Sequence, residues 1–292
     1  MVITQLVGGL GNQMFQYAVG RALSLARGVP LRLDVSAFSM FEIHQGFELE
    51  RVFSGRMEVA EPADVHSVLG WQSSTRALRL FSRAEMQFAR SAKLIVEPSF
   101  NYFCGIRDIT VPCYLKGYWQ SERYFSDVAQ TIRDDFTFRV PPSGRNFELA
   151  RHIDGVNAVS LHIRRGDYSS NPKTLAMHGL CSLKYYAEAI DLVVDRIPEP
   201  MFFVFSDDMH WVQANLHIGY PCEYIDHNRG AESYNDMRLM SLCKHHIIAN
   251  SSFSWWEAWL NPGVTKLVVA PRQWFTNPTS VEDLLPAGWI KL

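Results

Sequence analysis

Val2 to Val7 is a run of β-branched and apolar residues, VITQLV, closed by the glycines of GGLGN, which predicts a strand running into a tight loop. From Asn12 to Arg27 the apolar positions Met14, Phe15, Ala18, Ala22, Leu25 and Ala26 recur at helical spacing, with Asn12 placed to cap the helix. VPLRLDV follows as a second strand. Strand, loop, helix and strand in that order open a parallel-sheet unit. Between 38 and 110 the pattern weakens: EPADVHSVLG and RALRLFSRAEMQFARSA keep helical spacing with indistinct ends. CYLKGYWQSERYFSDVAQTIRDDF predicts a short strand ending near Trp119, then a helix to about Phe136.

RVPPSGRN at 139–146, rich in proline, glycine and serine, is the best linker in the chain. Beyond it the alternation is cleaner. NAVSLHI, MFFVFS, EYI, HIIAN and KLVVAP read as strands. SLKYYAEAIDLVVDRI, DDMHWVQANL, ESYNDMRLMSLCKH and SSFSWWEAWL read as the intervening helices. Repeated strand and helix predict a doubly wound parallel sheet with right-handed crossovers. The expected organisation is therefore a domain over 1–145, rejoined by a tail at about 275–292, and a domain over 146–274. In such sheets ligands bind beyond the carboxyl ends of the strands, where this chain places RRGDY, SDD and NSSFS.

Composition narrows the class. The 292 residues are 47% hydrophobic and 20% charged, an ordinary folded composition long enough for two domains. A formal net charge of -2 argues against a duplex nucleic-acid binder, so a positive site has to be local. The 5 cysteines are scattered and form no CxxC, which points to reduced thiols and a cytoplasmic setting, not to a disulfide frame or zinc. No run of 18 or more apolar residues and no basic leader are present, so neither a membrane span nor a secretion signal is expected.

Each polar cluster suggests chemistry. Arg164 and Arg165 end a strand, and guanidinium groups match phosphate with paired bonds at any working pH. Adjacent strand residues point to opposite faces, so one arginine is expected to face a cleft and the other to pack or pair, with Asp167 as a partner. A solvated, salt-bridged loop would use the same residues. Ser251, Ser252 and Ser254 with the N–H groups of a helix start can form an anion nest, or simply cap the helix. Ser206, Asp207 and Asp208 end a strand where a carboxylate can accept the paired N–H donors of guanine, and one of the two aspartates can cap the next helix. Gly9 and Gly11 with Asp34 are similar to a dinucleotide fingerprint, but Met14 stands where its third glycine belongs and would block close helix–strand packing. The chain contains no D-x-D, H-E-x-x-H or P-loop, so no metal or other cofactor is expected. His245 and His246 are adjacent on a strand and cannot readily chelate together.

Taken together, GGLGNQMFQYAVGRALS, HIRRGDY, HGLCSLKYY, FSDD followed by Trp211, and MSLCKHHIIANSSFSWWEAWLN resemble the family 11 glycosyltransferases, the α-1,2-fucosyltransferases. Residues 40–110 carry the least of the resemblance. It implies a GT-B-like α/β architecture of two facing Rossmann-like domains with parallel sheets. It also implies GDP-fucose as donor and a metal-free inversion at the fucose C1. Carried over residue by residue, Arg164 and Arg165 hold the donor pyrophosphate, with His162 and Asp167 positioning them. Asn250, Ser251, Ser252, Phe253 and Ser254 cradle phosphate, Ser206, Asp207 and Asp208 lie near guanine, and Gly9, Gly11, Asn12 and Gln13 form a loop facing the reaction centre. A metal-free reaction fits residues that can stabilise a leaving diphosphate by fixed donors. The proton acceptor stays open among His178, Asp34 and no protein base at all. The implied acceptor is a terminal β-galactoside, free or lipid-linked, in O-antigen or capsule synthesis; the alternatives are another fucosyl linkage or sugar-nucleotide donor on the same scaffold, or a non-catalytic nucleotide- or glycan-binding protein. The enzyme is expected in the cytoplasm or at the inner membrane face.

Overall fold

The computed structural model describes residues 1–39, 45–166, 172–277 and 282–292. The chain divides into two compact α/β units, Met1–Arg139 with Glu282–Leu284, and Val140–Val281 with Leu285–Leu292. The division falls inside RVPPSGRN but ahead of the expected 145/146 boundary. The reason is a helix, Gly144–Gly155, that starts within the linker and buries Leu149 and Ile153 in the second unit.

The first unit holds a four-stranded parallel sheet in the order β2-β1-β4-β3, with β1 Val2–Gln5, β2 Leu31–Asp34, β3 Leu94–Val96 and β4 Cys113–Lys116. Its first helix runs Leu10–Arg27 and is capped by Gly9, not by Asn12. Gly8 turns the chain at φ 80°, and the N–H groups of Asn12 and Gln13 already donate to the carbonyl of Gly9. The helix therefore starts as soon as the strand lets go. Gly20 marks the close helix–strand approach: a Cβ there would lie 2.8 Å from Leu31 and would also strike Thr4. Met14 is instead packed in the core, so the departure from a dinucleotide fingerprint has a structural counterpart.

Two sequence expectations in this unit change. The helix expected up to Phe136 is broken into two 3-10 turns and a short helix, Ala129–Asp135. Buried Tyr124 and Phe125 override the helical period there, and Tyr124 meets Trp119 edge to face. The second helical stretch becomes a helix Thr75–Phe81 and a 3-10 segment Ala84–Ala89.

The second unit holds a six-stranded parallel sheet in the order β10-β9-β8-β5-β6-β7. Its strands are β5 Asn157–Ile163, β6 Pro200–Ser206, β7 Cys222–Ile225, β8 His245–Ile247, β9 Val268–Ala270 and β10 Ile290–Lys291. The sheet is covered on both faces. Val159, Leu161, Phe202 and Val204 pack under the helix Leu183–Arg196, while Ala158, Phe203 and Phe205 pack under Gly144–Gly155 and Tyr234–Leu242. The period-2 alternation of strand side chains divides the two sets. The tail differs from expectation: Ile290 and Lys291 pair with Val269 and Ala270, and Trp289 packs on Trp255. Among the described residues of 275–292, only Glu282–Leu284 belongs to the first unit, where Asp283 accepts the N–H of Tyr102 at 3.0 Å.

Among the described residues, no helix is long and apolar enough to cross a membrane. All five cysteines are free.

Candidate active site

In the second sheet β8, β5 and β6 are neighbours, so the segments leaving their carboxyl ends are brought side by side. Arg164 and Arg165 follow directly on the end of β5 and pair with different aspartates. Arg164 Nη1 lies 3.0 Å from Asp207 Oδ2, whereas Arg165 Nε is 3.6 Å from Asp208 Oδ2. The Arg165 guanidinium also stacks over Trp211, 3.5 Å from the ring centroid, an arrangement worth about 0.5–2 kcal/mol. Asp207 does a second job: its Oδ1 accepts the backbone N–H groups of Arg165 at 2.8 Å and Gly166 at 2.9 Å. One carboxylate thus holds both the backbone and a side chain of the arginine turn. Gly166 is required by this closeness, because a Cβ there would sit 2.9 Å from Asp207 Oδ2.

Asp208 caps the helix Met209–Asn215, accepting the N–H of Trp211 at 3.3 Å, and its own N–H donates to the Ser206 hydroxyl at 3.0 Å. Of the two aspartates expected near a base, one is therefore spent on the arginine turn and the other on a cap and on Arg165. Asp167, the partner expected for the arginines, lies outside the described residues.

The serine segment sits one strand away. Ser251 caps the helix Ser252–Leu260 and accepts the N–H of Phe253 at 3.2 Å. Ser254 is fully buried and hydrogen-bonded to Nδ1 of His162 on β5, and Phe253 lies against the same imidazole. Burial pushes the His162 pKa down to about 4, against a smaller upward pull from Asp207, so the ring is neutral at pH 7. Asn250 donates to the carbonyls of His178 at 2.8 Å and Trp274 at 3.2 Å. His178 is thereby tied to the start of the serine segment, with its ring beside Phe275.

The helix behind this segment is pinned from below. His246 Nδ1 lies 2.7 Å from Glu257 Oε2 and 3.0 Å from the Ser160 hydroxyl, all three fully buried, while Asn261 meets the other imidazole nitrogen at 3.0 Å. His245 points the other way and accepts the N–H of Leu267 at 3.0 Å.

Sequence reasoning missed two parts of this rim. Trp211 stands out only as the tryptophan that follows FSDD, and nothing in one sequence marks it as the platform under Arg165. The loop after β7 carries His227 and Asn228, which interlock with Asn146: His227 Nε2 and Asn146 Oδ1 are 2.8 Å apart, and Asn146 Nδ2 donates to Asn228 Oδ1 at 2.8 Å. Asn228 also donates to Asp236, whose carboxyl burial raises to about 7. A groove of about 580 Å³ lined by Leu216, His217, Tyr220 and Cys222 opens at the amino end of β7. It lies at the wrong end of the sheet for a ligand of this fold.

The first unit has its own polar rim. Asn12 accepts from Gln120 Nε2 at 2.7 Å, and Gln13 bridges the carbonyls of Gly8 and Gly46 while accepting the N–H of Glu48. Gly9 caps the first helix and Gly11 is buried in its opening turn. Asp34 is buried with both oxygens engaged, Oδ2 by the Tyr114 hydroxyl at 2.5 Å and Oδ1 by the N–H of Ser36 at 2.9 Å. That makes it an anchor of the strand end. A carboxyl passed over in the sequence, Glu97 at the end of β3, accepts the N–H groups of Tyr118 and Trp119, and burial raises its pKa to about 7.

Among the described residues, no three His, Cys, Asp or Glu side chains cluster as metal ligands would. The positive charge at the rim is supplied by Arg164 and Arg165.

Comparison with known proteins converges on one group. The model of Glycosyl transferase family 11 matches residues 101–292. An alpha-1,2-colitosyltransferase of Escherichia coli is 35% identical over 297 residues, covering 100% of this chain and 99% of that protein. The O-antigen biosynthesis glycosyltransferase WbnK of Escherichia coli is 34% identical over 306 residues, covering 98% and 99%. Among solved structures, the fucosyltransferase NodZ from Bradyrhizobium superposes with a TM-score of 0.53 at 15% identity, covering 89% of this chain and 92% of that one. That likeness supports a GT-B-like fold.

Proposed function

Since the chain belongs to glycosyl transferase family 11, we propose that it is an inverting transferase. It would move L-fucose from GDP-fucose to the 2-hydroxyl of a terminal β-galactoside, making an α-1,2 linkage. The observation that carries this reading is the arginine turn: two guanidinium groups fixed by Asp207, Asp208 and Trp211 at the carboxyl end of β5, one strand from a helix start rich in serine. Such a pair matches a diphosphate, which a nucleotide sugar releases as its leaving group.

In the reaction, the acceptor oxygen bonds to C1 of the sugar as the C1–O bond to the β-phosphate breaks. Both electrons of that bond leave with GDP. Arg164, the more exposed of the pair, is assigned to the phosphate that gains the charge, and Arg165, stacked on Trp211, to fixing the turn. Fixed donors of this kind contribute about two to three orders of magnitude in rate. They also remove the need for a metal, so transfer is expected to proceed undiminished in EDTA. A strict dependence on added Mn²⁺ or Mg²⁺ would overturn that part of the proposal. For the acceptor proton, His178 beside the serine segment is favoured over Asp34, whose oxygens are engaged; late transfer to a phosphate oxygen is the route without a protein base.

A second donor reading has a specific observation behind it. The similar Escherichia coli protein is a colitosyltransferase, and colitose is fucose without its 3-hydroxyl. A site that hydrogen-bonds a hydroxyl rejects the sugar lacking it far more strongly than the reverse. Turnover of GDP-fucose and GDP-colitose side by side, against a panel of β-galactosides and with linkage analysis, decides between them. Preference for GDP-fucose with a 2-linked product is the expected result, and turnover of neither would overturn the assignment. Because WbnK is named for O-antigen biosynthesis, a lipid-linked O-antigen precursor in the cytoplasm is the acceptor class proposed.

A further inference from the structure

The segment from Trp71 to Lys93 does not contribute to either polar rim, yet it exposes what soluble surfaces normally hide. Phe88 is 87% exposed, Trp71 69% and Leu80 41%. Leaving such side chains in water forgoes favourable burial, and exposed apolar groups gathered in one place mark interaction sites. They are gathered here. Gln72, next to Trp71, donates to the carbonyl of Ala89, next to Phe88, at 3.0 Å, and accepts the N–H of Ser91 at 2.9 Å. Arg90 donates to the carbonyls of Phe81 and Arg83 at 2.6 and 3.0 Å, and Trp71 meets Phe81 edge to face. The inner side of the same segment, Leu78 and Phe81, packs with Val65, Val68 and Leu94 in the core of the first unit. The platform is therefore anchored, and its outer side is a formed surface.

The charge of this segment is lopsided. Residues 71–93 hold five cations, Arg76, Arg79, Arg83, Arg90 and Lys93, against one anion, Glu85, in a chain whose net charge is -2. Arg76, Arg79, Arg83 and Lys93 are exposed and take part in no ion pair among the described residues. Arginine groups interleaved with a tryptophan, a phenylalanine and a leucine form the chemical pattern of a membrane interface: cations at the phosphate level, aromatic and aliphatic side chains at the acyl boundary. We propose that Trp71, Leu80 and Phe88, with Arg76, Arg79 and Arg83, dock this chain onto an anionic lipid surface. The proposal goes beyond the transfer reading and stands independently of which sugar is moved.

The test is co-sedimentation of the whole protein with vesicles of phosphatidylglycerol and phosphatidylethanolamine, and in parallel with phosphatidylcholine alone. The expected result is binding to the anionic vesicles only, released by high salt. Each cation near such a surface contributes severalfold to binding, so R76E/R79E/R83E is expected to lower partitioning by at least about a hundred-fold. Trp71→Ser with Phe88→Ser should weaken it while leaving the salt dependence in place. Thermal unfolding of each variant, expected to match the parent within a few degrees, separates lost docking from lost folding; a variant that unfolds is replaced by R76Q/R79Q/R83Q. Absence of binding, equal binding to both vesicle types, or a charge-reversed and folded variant that still binds would each overturn the proposal. Displacement of the protein from vesicles by duplex DNA at equal phosphate concentration would overturn it in favour of a nucleic-acid surface.

Discussion

Asp207 shows how much one side chain can organise. It accepts two backbone N–H groups and pairs with Arg164, so its removal frees the turn that presents both guanidinium groups. Asp207→Ala is expected to weaken GDP binding about tenfold or more, and Asp207→Asn less, because the amide oxygen can keep the backbone bonds. Calorimetry with GDP and ADP distinguishes its roles: equal losses place Asp207 under the turn, while a loss confined to GDP places it on the base. His162 gives a pH prediction. Its folded pKa, about 4, is below the ordinary value near 6.5. Between those values the unfolded chain binds a proton that the folded chain does not, so the stability tied to the neutral ring is full above about 6.5 and is lost as pH falls toward 4. Urea unfolding from pH 4 to 7 should show this slope, and His162→Gln should flatten it. The residue types of this site were readable from HIRRGDY and FSDD, but the partners were not. Sequence reasoning gave the arginines Asp167, which lies outside the described residues, and placed Asp207 and Asp208 near guanine or at a helix cap; that both also pair with the arginines is revealed only by the neighbouring of β5 and β6.

The helix Ser252–Leu260 carries the serine segment at its start and is tied to the sheet near its end. Glu257 reaches His246 on β8 and Ser160 on β5, with no exposed atom among the three side chains. Glu257→Ala would leave buried polar groups without a partner, at a cost of about 1–3 kcal/mol, or more if charge is stranded. A lowered melting temperature, largely restored in Glu257→Gln, is the expected outcome of differential scanning. The second half was more legible because its central strands, β5 and β6, are buried on both faces and read as largely apolar runs. Elements between 38 and 136 were less so. There the chain is held by single aromatic anchors such as Trp119, Tyr124 and Phe125, and no periodic face announces them.

At the scale of the whole molecule, the tail is the correction with the largest consequence. Residues 285–292 complete the second unit: β10 covers the edge of β9, and Leu285 and Trp289 are buried. Deleting 285–292 should therefore expose the β9 edge and the face of Trp255, abolish GDP binding and promote aggregation. If the tail served the first unit, GDP binding would survive. The expectation of two α/β units with parallel sheets came from the alternation of strand and helix. The division between them moved to Arg139 because the helix Gly144–Gly155 has a buried face too weak to outvote PPSG in the pattern.

What the sequence by itself determined is therefore local and periodic. It contained the parallel-sheet units, the polar ends of their strands, the guanidinium pair and the family to which these belong, because each is written in contiguous residues. What only the tertiary structure decided is who meets whom. Trp211 under Arg165, Asp207 under the arginine turn, Ser254 on His162 and the tail strand on β9 all depend on chain segments apart in number. Contacts of that kind are set by sheet order and by packing against neighbours, and no single stretch of the chain encodes either one alone.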